Sequence, residues 1–202
     1  MPELYEFPPT RSNRAKWALE ELGVDYTSRT VSFPKGEQRS EEYKAIHPLG
    51  HVPAYRTDAY TMHESVAIVL QLLDEYPEAG LAPTIGTAER AAYYQWSVFS
   101  CSELDPNLFD VMKHTMHLPE EHRVPEIAQR GRERFAARGE VLSKALEGRD
   151  YLLGSAFSGA DIVLGYSCNW AAYNGLIENH PTLVAYYARL QRRPAFQKVF
   201  SN

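Results

Sequence analysis

His47-Pro48-Leu49-Gly50-His51-Val52-Pro53-Ala54-Tyr55, with Glu64-Ser65 shortly after it, is the segment around which the chain is organised. Pro53 enters a short strand-like run, Ala54 to Thr57, and a proline there is tolerated where its missing donor faces an open sheet edge. An X-Pro bond in so tight a turn is a cis candidate. In that geometry the N–H and C=O of Val52 are expected to face outward, ready for the ladder bonds that an extended peptide needs. Glu64-Ser65 then opens the run Val66, Val69, Leu70, Leu73, whose spacing is that of one helix face. Ser65 therefore stands near a helix N-terminus, where its hydroxyl and free N–H groups suit a carboxylate, while the Glu64 carboxylate suits an ammonium group. The pair reads both charges of an α-amino acid, and the segment is expected to hold a peptide-like ligand. Singly, these features have plainer readings, since X-Pro turns are common and a serine before an apolar helix is usually an N-cap. Their combination carries the inference.

Working outward, Glu3-Leu4-Tyr5-Glu6-Phe7 alternates at period two as a strand and is stopped by Pro8-Pro9. A helix follows, with Ala15, Ala18, Leu19 and Leu22 on one face, Thr10 or Ser12 as N-cap, and Gly23 where a C-terminal stop belongs. Tyr26 to Val31 reads as a second strand, parallel to the first across that helix. Pro34-Lys35-Gly36 breaks the chain, and Glu41 to Ile46 makes a short helix. Ala54 to Thr57 and Tyr60 to Met62 pair as a hairpin about Asp58-Ala59, and the helix from Ser65 to Tyr76 ends before Pro77. The order is β-α-β-α-β-β-α. No Gly-x-Gly-x-x-Gly accompanies it, so a dinucleotide site has no support.

Residues 77–86 are rich in proline and glycine and read as a linker between a domain of residues 1–76 and an all-helical domain of residues 87–202. The first helix beyond it carries Ala92, Trp96 and Phe99 and is expected to stop near Asp105-Pro106. A second covers Glu126 to Glu147, with Phe135, Leu142 and Leu146 inward. A third begins at Ser158-Gly159-Ala160-Asp161, a capping box in which hydroxyl and carboxylate satisfy reciprocal backbone donors. The run after it, Ile162 to Tyr166, is apolar on nearly all sides and reads as a buried central helix.

With 202 residues, 44% hydrophobic and 23% charged, the chain suffices for one sizeable core or two small ones. A net charge of -5 without a basic run argues against a nucleic-acid groove, and Arg132, Arg134 and Arg138 read as a solvated stripe. No stretch reaches the roughly eighteen apolar residues of a membrane span. The N-terminus has no signal-like core, so no membrane association and a cytoplasmic location are expected. Cys101 and Cys168 belong to no metal-like spacing and read as free buried thiols in a reducing compartment.

His47-Pro-Leu-Gly-His-Val-Pro-Ala followed by Glu64-Ser65-Val-Ala-Ile resembles the glutathione-binding half of a bacterial-type cytosolic glutathione S-transferase. Tyr151-Leu-Leu-Gly-Ser-Ala-Phe-Ser-Gly-Ala-Asp161-Ile and the ending His180-Pro-Thr-Leu and Arg193-Pro-Ala-Phe196 resemble that family's second domain. The resemblance spans residues 3 to 200. It implies a thioredoxin-like α/β domain followed by an all-α domain, and glutathione as cosubstrate with contacts at Asn13, His51, Val52, Pro53, Glu64 and Ser65. It also implies a homodimer, with the helix around Trp96 to Asp105 reaching the partner's site. The activity implied is conjugation of the glutathione thiolate to small hydrophobic electrophiles. A catalytically silent interaction module, or a glutathione-dependent isomerase or dehalogenase, would share the fold; the zeta-like Ser-Ser-Cys stretch is absent.

Conjugation needs the thiolate, and a thiol of pKa about 8.5 is only slightly ionised at neutral pH. A hydroxyl bond to the sulfur anion, about 1.5–3 kcal/mol, plus a helix N-terminus at about 0.3–1 kcal/mol, lowers that pKa by roughly two units without a base. In Pro9-Thr10-Arg11-Ser12-Asn13-Arg14, family members of the hydroxyl class carry the activating serine in a Ser-x-x-x-Arg or Ser-Arg-Ser-x-Arg stretch. Here Ser12 matches the second serine, and Thr10 departs from the first. Its place at the helix start favours Ser12 as the donor, with Thr10 and Asn13 open as alternatives and Tyr5 as a tyrosine-type substitute. With no cysteine between Pro8 and Ala15, disulfide exchange has no nucleophile there. His114, His117 and His122, interrupted by Pro119, are not expected to hold a metal and read as a loop near the acceptor site. The acceptor pocket is expected to be apolar and to lie between the halves, with Phe7, Phe109, Met112, Trp170 and Tyr173 as candidates.

Overall fold

The computed structural model describes residues 1–200. A four-stranded sheet of order β2-β1-β3-β4 is made by β1 (Glu3–Glu6), β2 (Thr27–Thr30), β3 (Ala54–Arg56) and β4 (Thr61–His63). β1 pairs with β2 in parallel, with Glu3 opposite Thr27, and antiparallel with β3, with Leu4 opposite Tyr55; β3 and β4 form the expected hairpin. Parallel neighbours require a crossover, which α1 (Ser12–Leu22) supplies. It stops at Gly23, whose φ of 65° lets Gly23 N–H bond the Glu20 carbonyl while Val24 N–H reaches the Leu19 carbonyl. α2 (Glu41–Lys44) is a single turn capped by the Ser40 hydroxyl, and α3 (Ser65–Glu75) packs on α1, with Val66, Ile68, Val69 and Leu72 buried. The architecture is thioredoxin-like, as the resemblance implied.

The inward face of β1 holds Leu4 and also a carboxylate. Glu6 is buried, and its Oε1 accepts from the Lys16 ammonium at 2.8 Å and the Ser28 hydroxyl at 2.6 Å. Period two marked the strand but gave no sign of a charge on its buried face.

The chain divides into two compact units, Met1–Ala82 joined by the stretch from Arg193 onward, and Pro83–Arg192. The expected helical domain of residues 87–202 thus differs at its end: α9 (Pro194–Phe200) belongs with the first unit. The physical reason is Trp17, fully buried on α1, whose ring meets Phe196 edge-on at 5.0 Å and Phe200 at 5.7 Å. The Arg193 guanidinium adds two bonds to the Glu21 carboxylate, both at 2.7 Å.

The second unit contains α4 (Ala88–Phe99), α5 (Asp105–Met112), α6 (Pro125–Ala145), α7 (Gly159–Tyr173) and α8 (Pro181–Leu190). The stop expected at Asp105-Pro106 is absent. α4 passes through a π-helical stretch, Ser100–Leu104, directly into α5. Pro106 directly follows the wider π-helical turn, so the helix continues past a residue that has no N–H to donate. Cys101, on the π-helical stretch, is only half-buried rather than buried as expected, whereas Cys168 is enclosed and burial pushes its thiol up to about 12. Phe135, Leu142 and Leu146 are buried as expected. α7 is buried almost throughout, and its capping box of Ser158 and Asp161 forms. Among the described residues no helix is long and apolar enough to cross a membrane.

Gly139 of α6 lies against the ring of His180, where an added Cβ would stand 2.5 to 2.8 Å from three ring atoms. Alanine improves helix propensity by about 1 kcal/mol, but overpacking a buried ring costs about 1–3 kcal/mol. Gly139→Ala is therefore expected to lower the urea midpoint; a raised midpoint would mean that His180 is free to move aside.

Candidate active site

The residues expected to bind ligand gather at two helix N-termini of the first unit. At α1, the N–H of Asn13 bonds the Thr10 carbonyl at 3.0 Å and that of Arg14 the Arg11 carbonyl at 3.2 Å. The N–H of Ser12 reaches Thr10 Oγ1 at 3.3 Å, so the turn's own donors are engaged. Ser12 is the first residue of the helix, the cap position is Arg11 and no side chain caps it, so neither Thr10 nor Ser12 is the expected N-cap; the Thr10 hydroxyl instead accepts within the turn before the helix. The Thr10 and Ser12 hydroxyls lie 2.8 Å apart; Ser12 is fully buried and Thr10 half-buried. Asn13, next in the chain, is buried, and its Oδ1 has no hydrogen-bond partner among the described residues.

At α3, Ser65 is buried and Glu64 precedes it with an exposed side chain. Glu64 has φ 75°, the one non-glycine positive φ among the described residues, and its carbonyl accepts the Ile68 N–H at 2.9 Å. The N–H groups of Ser65, Val66 and Ala67 belong to the first turn and have no partner within the helix. The two N-termini are tied across 51 residues of sequence by Arg14, whose Nη1 donates to Ser65 Oγ at 3.5 Å. Arg14 is fully buried, a long cation inside the unit that the Ser-x-x-x-Arg spacing signalled but that received no role.

The segment leading into β3 is shaped by its special residues. Gly50 has φ 61°, and a Cβ there would run into the Gln38 carbonyl. The Val52-Pro53 peptide is cis, as expected, and Pro8-Pro9 is cis as well, which the sequence did not indicate. Tyr43 donates its hydroxyl to the His51 carbonyl at 2.6 Å, and no hydrogen bond of Val52 is found among the described residues. His47 is buried, with its ring 4.6 Å from that of His63 and 5.7 Å from that of His51. Burial first, then the neighbouring His63 and His51, hold its pKa below the usual imidazole value. Tyr5, the alternative hydroxyl, instead bonds the Glu3 carboxylate at 3.0 Å.

The apolar candidates are dispersed. Phe7, in the first unit, stacks on Phe33 at 4.9 Å. In the second unit Phe109 is 39% and Tyr173 77% exposed, Met112 is half-buried, and Trp170 is buried beside Tyr166. His114 accepts the Val124 N–H at 3.1 Å, a structural use of its ring. Among the described residues no three His, Cys, Asp or Glu side chains converge as metal ligands.

A thioredoxin-like sheet with two helix N-termini tied by Arg14, carried in a chain that continues as a helical unit, defines a class of two-domain proteins. The comparisons identify it. The family described as glutathione S-transferase, N-terminal domain, matches residues 4–80, and glutathione S-transferase, C-terminal domain, matches residues 125–189. Glutathione S-transferase Z2 of Arabidopsis thaliana is 31% identical, covering 92% of this chain and 84% of its own. Glutathione S-transferase A of Pleuronectes platessa is 28% identical over 91% and 84%. A glutathione transferase homolog from sulfitobacter, solved with bound glutathione, superposes with a TM-score of 0.86 at 26% identity, covering 100% of this chain and 97% of its own. The chain belongs to the glutathione S-transferase family and is an enzyme of that type.

Proposed function

We propose that the protein binds glutathione at the N-termini of α1 and α3 and joins it, through its thiolate sulfur, to a small apolar electrophile. The observation that carries this reading is the Arg14–Ser65 contact, which fixes a hydroxyl-rich helix start beside one suited to an amino-acid headgroup. The γ-glutamyl end would place its ammonium on Glu64 and its carboxylate on the Ser65 hydroxyl and the free N–H groups of α3. The cysteinyl backbone would pair with Val52, beside Pro53, with His51 flanking it, and the sulfur would lie toward Thr10, Ser12 and Asn13. The bound glutathione of the sulfitobacter homolog supports glutathione as cosubstrate. The thiol proton leaves to solvent, the thiolate sulfur bonds the electrophilic carbon as that carbon's leaving group departs to solvent as an anion, and no covalent enzyme intermediate forms. The exposed rings of Phe109 and Tyr173 support an apolar acceptor. The reading includes a cytoplasmic homodimer acting in detoxification.

Calorimetric titration with glutathione tests it. Glu64→Ala and Ser65→Ala each remove a charge-assisted bond, and each should weaken binding by about 1.5–3 kcal/mol, roughly ten- to 150-fold. Unchanged affinity in both variants would remove the binding assignment. No binding to the parent protein at millimolar glutathione would favour a silent interaction module. A panel of electrophiles then separates conjugation from isomerisation and dehalogenation on the same site.

A further inference from the structure

We infer that Thr10 is the hydroxyl that meets the glutathione sulfur, and that Ser12 is a positioning residue that makes Thr10 a pure hydrogen-bond donor. This rests on the glutathione reading of the site and reverses the role that the sequence favoured for Ser12.

The argument is a count of hydrogens and lone pairs. Ser12 is fully buried, and its hydroxyl has one hydrogen-bond partner among the described residues, Thr10 Oγ1 at 2.8 Å. A buried O–H without an acceptor is strongly disfavoured, so the single Ser12 hydrogen is committed to Thr10. Ser12 also gives its backbone N–H to the same oxygen at 3.3 Å. Both lone pairs of Thr10 Oγ1 are then filled by one residue, because a hydroxyl has two acceptor sites and one hydrogen. The remaining hydrogen belongs to Thr10, which is half-buried and makes no further hydrogen bond among the described residues. It therefore points out of the pair.

Such a hydroxyl can donate but has no lone pair left to accept. A thiolate only accepts, whereas a neutral thiol also presents an S–H that finds no acceptor on Thr10. The pair thus favours the ionised sulfur over the neutral one, which is what lowers a bound-thiol pKa. Competing donors are few, since the N–H groups of Ser12, Asn13 and Arg14 are already bonded within the turn. The α1 N-terminus contributes its dipole in the same direction.

The test is the ultraviolet thiolate absorbance of bound glutathione against pH, with calorimetric affinity measured alongside, in Thr10→Val, Ser12→Ala, Ser12→Thr and the double variant Thr10→Val/Ser12→Ala. Thr10→Val should raise the bound-thiol pKa by about one to two units, the loss of a charge-assisted bond. Ser12→Ala should raise it less, Ser12→Thr should restore it, and the double variant should match Thr10→Val alone, because Ser12 acts through Thr10. A full rise in Ser12→Ala with none in Thr10→Val makes Ser12 the direct donor and overturns the inference. Additive rises also overturn it, and no rise in any variant transfers the role to Asn13. Absence of glutathione binding to the parent protein is a different failure, that of the binding site itself.

Discussion

Asp161→Ala should lower the stability of the helical unit by about 3–5 kcal/mol, measured as a shift of the denaturant midpoint of α-helical circular dichroism. Asp161 is completely buried, and its carboxylate accepts four bonds: from Leu152 N–H at 2.9 Å, Ser158 N–H at 2.9 Å, the Ser158 hydroxyl at 2.8 Å and the Tyr186 hydroxyl at 2.9 Å. Removing it leaves two N–H groups that can only donate and have nowhere to turn, each at about 1–3 kcal/mol. The hydroxyls can rotate, so they add less. Burial raises the Asp161 pKa, and the four donors oppose that without overcoming it. The sign of the pH effect follows: the folded state holds the proton more tightly than the unfolded one, so ionisation costs stability. The advantage of the parent protein over Asp161→Asn is thus largest below the unfolded value, about 3.9, and shrinks as pH rises through the raised folded value. A midpoint within about 1 kcal/mol of the parent for Asp161→Ala would show that the cap is dispensable.

Trp17→Ala should destabilise the first unit by a similar amount, about 3–5 kcal/mol, as expected for emptying a fully buried indole site. The ring contacts that α9 makes there predict more than the magnitude. Trp17→Ala and Phe196→Ala remove two halves of one edge-on contact, so their combined loss should fall short of their sum, by about 0.5–3 kcal/mol. Strict additivity would mean that α9 does not contribute to the core of the first unit. Trp17 also donates its Nε1–H to Glu21 at 2.8 Å, the carboxylate that Arg193 grips, so the aromatic and ionic contacts converge on one turn of α1. Trp17→Phe, which keeps most of the ring area, should recover most of the loss.

Local signals were legible in the sequence and long-range ones were not. Gly23, Pro53, Ser65 and the Ser158–Asp161 pair act within a few residues of themselves, through a left-handed stop, a turn, a helix start and a cap. Each could be read from its neighbours. The fate of Asp105-Pro106 depended on whether the preceding helix loosened into a π-helical stretch, which no residue there announces. The return of α9 to α1 joins Glu21 to Arg193 across most of the chain, and the helical period of its residues says only that some partner exists. At the candidate site, residue types and spacing marked Thr10, Ser12, Asn13, Glu64 and Ser65. The difference between Thr10 and Ser12 is one of exposure, a tertiary property that a helix-start pattern does not contain. Arg14 and His47 passed without a role for the same reason, since a buried cation and a buried imidazole are read from their surroundings.

The central claim is that the first unit holds glutathione and ionises it. The most direct measurement is the pKa of the thiol of glutathione bound to the unmodified protein, from its thiolate absorbance across pH at saturating protein. The account predicts a value about two units below the free thiol's roughly 8.5. A bound thiol that titrates like the free one would contradict it.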